Sequence, residues 1–378
     1  MDLIAQSWNL LPALPRTLIA FALGLGILVF VHEMGHYLAA RWRGVHVDAF
    51  SIGFGRPVWR RTDRRGTEWR LGWLPLGGYV KLHGQEVPEE TDETTRASWR
   101  PGQTFHEKPV RDRAIVVAAG PVANYLLAVL LFAGLAMSVG RPVGNTTVGM
   151  VVQGSAAERG GLRVGDEILS LDGDRVSRFE QVQRHVQPRA GQPIEIRVAR
   201  DSGERSLTVT PDAREGGPGG ATTGVLGIQG GAARLERLSF GPALAAGVSQ
   251  AIDVTWQSLT SIGEMLTGQR SARDLGGPIR IAEVSGEAAS LGIAPLVTLM
   301  ALLSVSLGLL NLFPVPLLDG GHLVFYALEA IRGRPLPPRA QEYGYRAGFA
   351  LLATLFLLVS WNDIVHGTIG RFVARLVG

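Results

Sequence analysis

The strongest constraint on how this chain folds is an uncharged run, Thr17 to Val31, that passes without a break into His32-Glu33-Met34-Gly35-His36. The helix-forming pattern continues to Ala40, so the segment 17–40 would make a helix about 36 Å long, enough to cross a bilayer. Three ionisable groups at that depth are expensive and need a partner or a water-filled cavity. Three further hydrophobic segments follow. Ile115–Val139 and Leu291–Leu318 carry no charge, and Tyr343–Trp361 carries only Arg346, near one end where it can snorkel. Four spans are therefore expected. Asn124 in the second, and Asn311, Pro314 and Pro316 in the third, are odd residues for plain anchors, because prolines at membrane depth free backbone groups that need partners.

A chain that is 46% hydrophobic fits membrane spans with an attached water-soluble part. The N-terminus lacks the basic region and cleavage site of a signal peptide, so the first run reads as an uncleaved span. There is no cysteine, which excludes disulfides and thiolate metal sites and leaves His, Asp or Glu to hold any metal. The net charge is +4, with arginines scattered in loops beside lipid headgroups and no stripe suited to nucleic acid. Arg41 and Arg43 follow span one, and Lys108, Arg111 and Arg113 precede span two. Arg332, Arg334, Arg339 and Arg346 lie between spans three and four. The positive-inside rule puts both connections in the cytoplasm and segment 140–290 on the periplasmic side.

The pieces read as follows. Residues 1–43 hold the first span. Residues 44–114 form a cytoplasmic-side, membrane-associated β-region, with runs VHVDAFSIGFG, VWRRTDRRGTEWRLGW and GGYVKL around a turn at Asp63–Gly66, then an acidic loop at 85–107. The second span is 115–140. Segment 144–232 alternates short strands with a helix at Arg178–Val186 and a Gly-rich loop at Glu215–Gly224. Segment 238–290 carries apolar residues at helical spacing (Leu244, Val248, Ile252, Trp256, Leu259, Ile262, Leu266), expected to lie on the membrane surface, plus a linker. A third membrane segment, 291–331, contains Asn311 to Gly321. The fourth span, 343–366, and a tail, 367–378, close the chain.

His32-Glu33-Met34-Gly35-His36 matches H-E-x-x-H. On a helix, positions i and i+4 share one face, so both imidazoles can reach one zinc ion, with Glu33 beside the open position to take a proton from water. No histidine lies six residues beyond His36, so the third ligand is sought elsewhere. Asp319, ending the third apolar run in NLFPVPLLDGGH, is preferred, and His322 competes as ligand or support. His46, His83, His106, His185 and His366 read as ordinary polar residues.

HExxH in the first span, GPVAN at 120–124 and NLFPVPLLDGG at 311–321 resemble the site-2 protease family of intramembrane zinc metalloproteases. FSIGFG (50–55), GGYVKL (77–82) and LGGPIRIAEVSG (275–286) are similar to the bacterial regulator-of-sigma-E type. Segment 144–232 resembles a bacterial PDZ domain, one copy where the best-known members carry two. The resemblance implies a multi-span α-helical membrane protein of about four transmembrane helices, with a membrane-associated β-rich loop and one PDZ-like α/β domain. It implies zinc held by His32, His36 and Asp319, and water activated by Glu33. It implies contact of Asn311 and of the strand at Gly78, Tyr79 and Val80 with substrate, and support from Asn124, Pro314, Pro316 and His322. The implied activity is cleavage of a single-span protein within the inner membrane, an anti-sigma factor or a signal-peptide remnant, with a peptide end at the PDZ groove.

Overall fold

The computed structural model describes residues 13–85, 91, 93–143, 146–201, 203–215, 222–231, 234–269, 271 and 276–366. The tail 367–378, residues 1–12 of the first segment and the centre of the Gly-rich loop lie outside them. The chain forms two compact units, one of residues 136–239 and one of the segments on either side.

In the flanking unit, helix α1 spans Ala13–Trp42. Gly44, at φ 72°, takes the left-handed turn that lets the Val45 N–H reach the Ala40 carbonyl at 2.8 Å and closes the helix. Strands β1 (Val47–Thr62) and β2 (Glu68–Leu82) follow. Both bend, so two strands make four antiparallel runs side by side in the order 57–62, 68–72, 49–52 and 78–82. Asp63 closes the intervening turn: its carboxylate accepts the Arg65 and Thr67 N–H groups at 2.8 and 3.0 Å and the Trp69 indole N–H at 3.1 Å. Phe50 is buried where this sheet meets α1, with its ring centre 5.8 Å from Phe30 and 5.9 Å from Tyr37.

A short helix, α2 (Glu93–Ala97), precedes α3 (Val110–Ser138). Past the central unit come α6 (Phe240–Leu266), α7 (Pro278–Leu291), α8 (Ile293–Asn311), α9 (Asp319–Arg332) and α10 (Pro338–His366). Among the described residues, α1, α3, α8 and α10 are long and apolar enough to span a membrane. Ala128 and Phe132 of α3 share a core with Ala251 and Val254 of α6 and Ala301 and Val305 of α8. Asp363, buried near the end of α10, accepts the Gly277, Ile279 and Arg280 N–H groups at 2.8, 3.1 and 3.1 Å. It thus caps the N-terminus of α7, whose own cap residue is a glycine without a side chain.

Two elements take a form that length and periodicity leave open. The apolar stripe of α6 points outward, with Val248, Ile252, Trp256, Leu259 and Leu266 exposed. Its packed face is the row of small residues Ala243, Gly247, Ala251 and Val254, so α6 runs against the bundle. The uncharged run 291–318 is one apolar segment but not one helix. It breaks after Asn311, and Asp319 opens a new helix.

In the central unit the elements are β3 (Arg141–Val143), β4 (Val148–Val151), α4 (Ala156–Arg159), β5 (Glu167–Leu171), β6 (Asp174–Arg175), α5 (Phe179–Val186), β7 (Ile194–Arg200), β8 (Gly203–Val209), β9 (Asp212–Glu215), β10 (Thr222–Val225), β11 (Ile228–Gly230) and β12 (Arg234–Glu236). Strands β6-β5-β7-β8 form an antiparallel sheet, and β11 pairs with β4. The alternation in IEIRVAR puts Ile194, Ile196 and Val198 into a core with Ile168, Leu171, Val182 and Val186.

Asp166, 1% exposed, anchors this unit. Burial pushes its carboxyl up, but Arg200 donates to both oxygens at 2.6 and 2.7 Å and the Arg163 N–H donates at 2.8 Å, holding it below the usual 3.8. A depressed carboxylate adds stability above its unfolded value and loses it as pH falls through the folded one. Arg200→Ala leaves a buried charge uncompensated and is expected to lower the stability of this unit by about 3–5 kcal/mol. Hydrogen exchange of β5 and β7 in the full-length protein reads that loss, and the wild-type advantage is expected to shrink progressively as pH falls below 3.8 towards the lower folded value.

Candidate metal centre

Helix α1 puts His32 and His36 one turn apart, their Nε2 atoms 3.2 Å from each other. Asp319 comes from the first turn of α9 and places Oδ2 3.2 Å from His32 Nε2 and 3.5 Å from His36 Nε2. Donors held at 2.0–2.1 Å around a tetrahedral zinc lie roughly 3.3 Å apart. The three separations therefore fit one ion. Asp319 Oδ2 is buried and has no hydrogen-bond partner, which suits a carboxylate oxygen kept for a cation. Among the described residues this is the one group of three with metal-ligand geometry.

The outer nitrogens of the imidazoles are also held. The Val116 carbonyl lies 2.9 Å from His36 Nδ1 and accepts its proton, which leaves the Nε2 lone pair for a metal. The amide of Asn124, fully buried on α3, lies 3.1 Å from His32 Nδ1. The atom facing the ring is Nδ2, and Oδ1 is buried without a partner. A histidine that gives Nε2 to a metal carries its proton on Nδ1, so turning the amide over lets Oδ1 accept that proton.

Local backbone chemistry delivers Asp319. The segment 312–318 folds into tight turns, with Leu317 at φ 91°, a conformation that costs a bulky residue about 1–3 kcal/mol. The loop lies on the start of α9 because Gly320 and Gly321 have no Cβ to strike the carbonyls of Leu312, Phe313 and Val315. Pro314 and Pro316 sit in this loop, and the Pro316 carbonyl abuts Gly348 of α10. Here the helix break is what turns the carboxylate towards α1.

Glu33 is buried beside the ligands without joining them. It lies against the sheet run: a Cβ on Gly78 would stand 3.1 Å from its Cγ. The run 78–82, which pairs on one side with 47–52 and with no other strand among the described residues, thus has Glu33 beside it. The Tyr79 hydroxyl accepts from Arg70 Nη1 at 3.1 Å. Asn311 donates to the Leu307 carbonyl at 3.0 Å within α8. His322 stays out of the donor cluster and lies 3.4 Å from the Tyr345 hydroxyl. His83 lies 2.9 Å from Asp48 and accepts from the Arg100 N–H, His106 lies 2.9 Å from the Gly84 carbonyl and His185 lies 2.9 Å from Asp172.

The sequence reading missed Gly35 and Gly120. A Cβ on Gly35 would run into the Ala119 carbonyl, and one on Gly120 would run into His36 Nε2. These two glycines bring α3 close enough for Val116 and Asn124 to reach the histidines. Their signal was present, one glycine inside HEMGH and the other opening GPVAN, but spacing alone does not say which helix a glycine admits.

The model of Peptidase family M50 matches residues 20–355. A Rhizobium meliloti protein whose name is that of a candidate zinc metalloprotease is 44% identical over 368 residues, covering 94% of this chain and 98% of its own. Metalloprotease MmpA of Caulobacter vibrioides is 38% identical over 389 residues, covering 95% and 98%. Protease RseP of Yersinia pestis is 32% identical over 452 residues, covering 92% and 98%. The chain belongs to peptidase family M50, the site-2 proteases. It is a multi-pass membrane zinc metalloprotease.

Gly120→Ala tests the close approach. Alanine favours the helix more than glycine does, so the secondary structure should persist. Zinc affinity is expected to fall about 10- to 100-fold, the scale seen when groups that orient metal-bound histidines are lost. Chelator competition on the purified protein measures it.

Proposed function

We propose that this protease hydrolyses a peptide bond inside the membrane-spanning segment of a single-span protein, with Glu33 as the base and His32, His36 and Asp319 as the zinc ligands. One observation carries this reading: His32 and His36 lie within the long apolar helix α1, which ends at Trp42, and Asp319 of α9 meets them there, with a sheet run alongside. A helical substrate hides its amides, so it must be unwound and given new hydrogen-bond partners before it is cut. The run 78–82 offers an edge for that pairing next to Glu33. Bound zinc supplies a Lewis acid that polarises the scissile carbonyl and lowers the pKa of water. Glu33 then takes the proton of the attacking water and passes it to the leaving amine. Asn311 would engage the substrate backbone, with Pro314 and Pro316 supporting the loop beside it.

The residue 144–232 segment is a PDZ-type module in this reading. In support, β11 pairs with β4 along one edge, and Gly230 at its end lies against Phe179 at the start of α5. A strand beside a helix is where such a module takes a peptide as an added strand. The module faces the periplasm and the protein sits in the inner membrane, by the arginine-rich connections. The substrates are an anti-sigma factor already trimmed outside the membrane, or a signal-peptide remnant. The Protease RseP relationship favours this type of regulated cleavage.

Co-expression with tagged single-span proteins tests the reading. Wild type is expected to release a shortened fragment. Glu33→Gln should keep its zinc and slow cleavage about 10²- to 10⁴-fold. His36→Ala and Asp319→Ala should lose metal and cleavage together. Normal cutting by the zinc-loaded Glu33→Gln protein would remove Glu33 from its role, and zinc retained in Asp319→Ala would pass the ligand role to His322.

A further inference from the structure

The runs 57–62 and 68–72 form a hairpin whose chemistry the protease site does not use. Cross-strand rows assign its faces, since side chains alternate along each run. Phe50, Trp69 and Arg61 stand in one row, and Ile52, Leu71 and Trp59 in the next row on the same face. Phe50 and Trp69 of the first row pack with Tyr37 of α1. The second row continues the apolar face but leaves Leu71 45% and Trp59 53% exposed, and nearby Trp73 is 65% exposed.

Arginines crowd the same hairpin. Arg60 stands directly opposite Arg70, a pairing of like charges that repel. Arg70 has Glu68 at 2.6 Å as its partner. The exposed side chains of Arg60, Arg61, Arg64 and Arg65 form no ion pair among the described residues. The one carboxylate at the turn, Asp63, is occupied by two backbone amides and the Trp69 indole. The turn also sits at a defined level. A Cβ on Gly66 would be 3.3 Å from His46 Cε1, and His46 follows directly on the C-terminal end of α1 with its Arg41 and Arg43. Four unpaired guanidiniums are thus gathered where a spanning helix leaves the bilayer.

We infer that this hairpin is a docking surface for anionic phospholipid headgroups: Arg60, Arg61, Arg64 and Arg65 take the phosphates while Trp59, Leu71 and Trp73 enter the acyl boundary. Aromatic residues with arginines on one element are the composition of a membrane interface. A nucleic acid or an acidic protein would satisfy the arginines but leave the two tryptophans and Leu71 in water. Headgroups also relieve the repulsion between Arg60 and Arg70. The consequence is that the sheet carrying Gly78 and Val80 is steadied by lipid at its far side, so its order depends on the charge of the leaflet.

The chain has no cysteine, so Thr62→Cys gives a single attachment point for an environment-sensitive dye on the exposed hairpin. The labelled full-length protein is placed in phosphatidylcholine vesicles with rising phosphatidylglycerol. The emission is expected to shift to the blue and saturate, and to weaken in high salt. Each arginine removed should weaken the lipid response about fivefold, the factor for one basic residue at an anionic surface. Arg64→Gln with Arg65→Gln should therefore raise the required phosphatidylglycerol strongly, and adding Arg60→Gln and Arg61→Gln should abolish the response with zinc content unchanged. Equal emission in neutral and anionic vesicles, or a wild-type response from the fourfold variant, overturns the inference. So does a dye response to soluble polyglutamate without one to phosphatidylglycerol, which would assign the surface to an acidic protein.

Discussion

Three donor atoms held within 3.5 Å of one another, on residues nearly three hundred positions apart, are the constraint that organises the membrane unit. Two imidazoles and a carboxylate are too polar to be left bare in an apolar bundle, and a shared divalent ion resolves the conflict. The surrounding packing serves that convergence. Gly35 and Gly120 let α3 close on α1, so that Val116 and Asn124 fix the outer nitrogens of the histidines. Gly320 and Gly321 let the 312–318 loop fold back so that Asp319 points at them.

The same unit solves a second problem, the presentation of backbone edges beside the ligands. Strands β1 and β2 bend into a four-run sheet against α1, and the run 78–82 passes beside Glu33 at Gly78. An aqueous protease can wait for its substrate to be extended. In the proposed reaction, a strand edge beside Glu33 would give an unwound substrate backbone its hydrogen-bond partners. The break in the third apolar run follows a similar logic, because a continuous helix from Ile293 to Arg332 would fix Asp319 in the helical phase of Asn311. The turns at 312–318, with Leu317 in a costly conformation, set that phase free.

Much of this was legible in the residues. The four apolar helices follow from length and charge depletion, the pair His32 and His36 from the i, i+4 spacing, and the turn at Asp63–Gly66 from its composition. Asp319 was readable as a ligand candidate because it ended an apolar run beside an incomplete donor set. What escaped was set by tertiary packing. Period 3.6 finds the apolar stripe of α6 but not that its small residues form the packed side, since lipid-facing and protein-facing apolar positions look alike. The uncharged run 291–318 hides a helix end because loop and helix are equally apolar there. The capping of α7 by Asp363 joins residues more than eighty apart and leaves no local signal.

Zinc K-edge X-ray absorption on the purified full-length protein addresses the central convergence most directly. Two imidazole nitrogens and carboxylate oxygen, all near 2.0–2.1 Å, are the expected ligands. Three imidazoles in the spectrum, which would bring in His322, or a single one, would contradict the site described here.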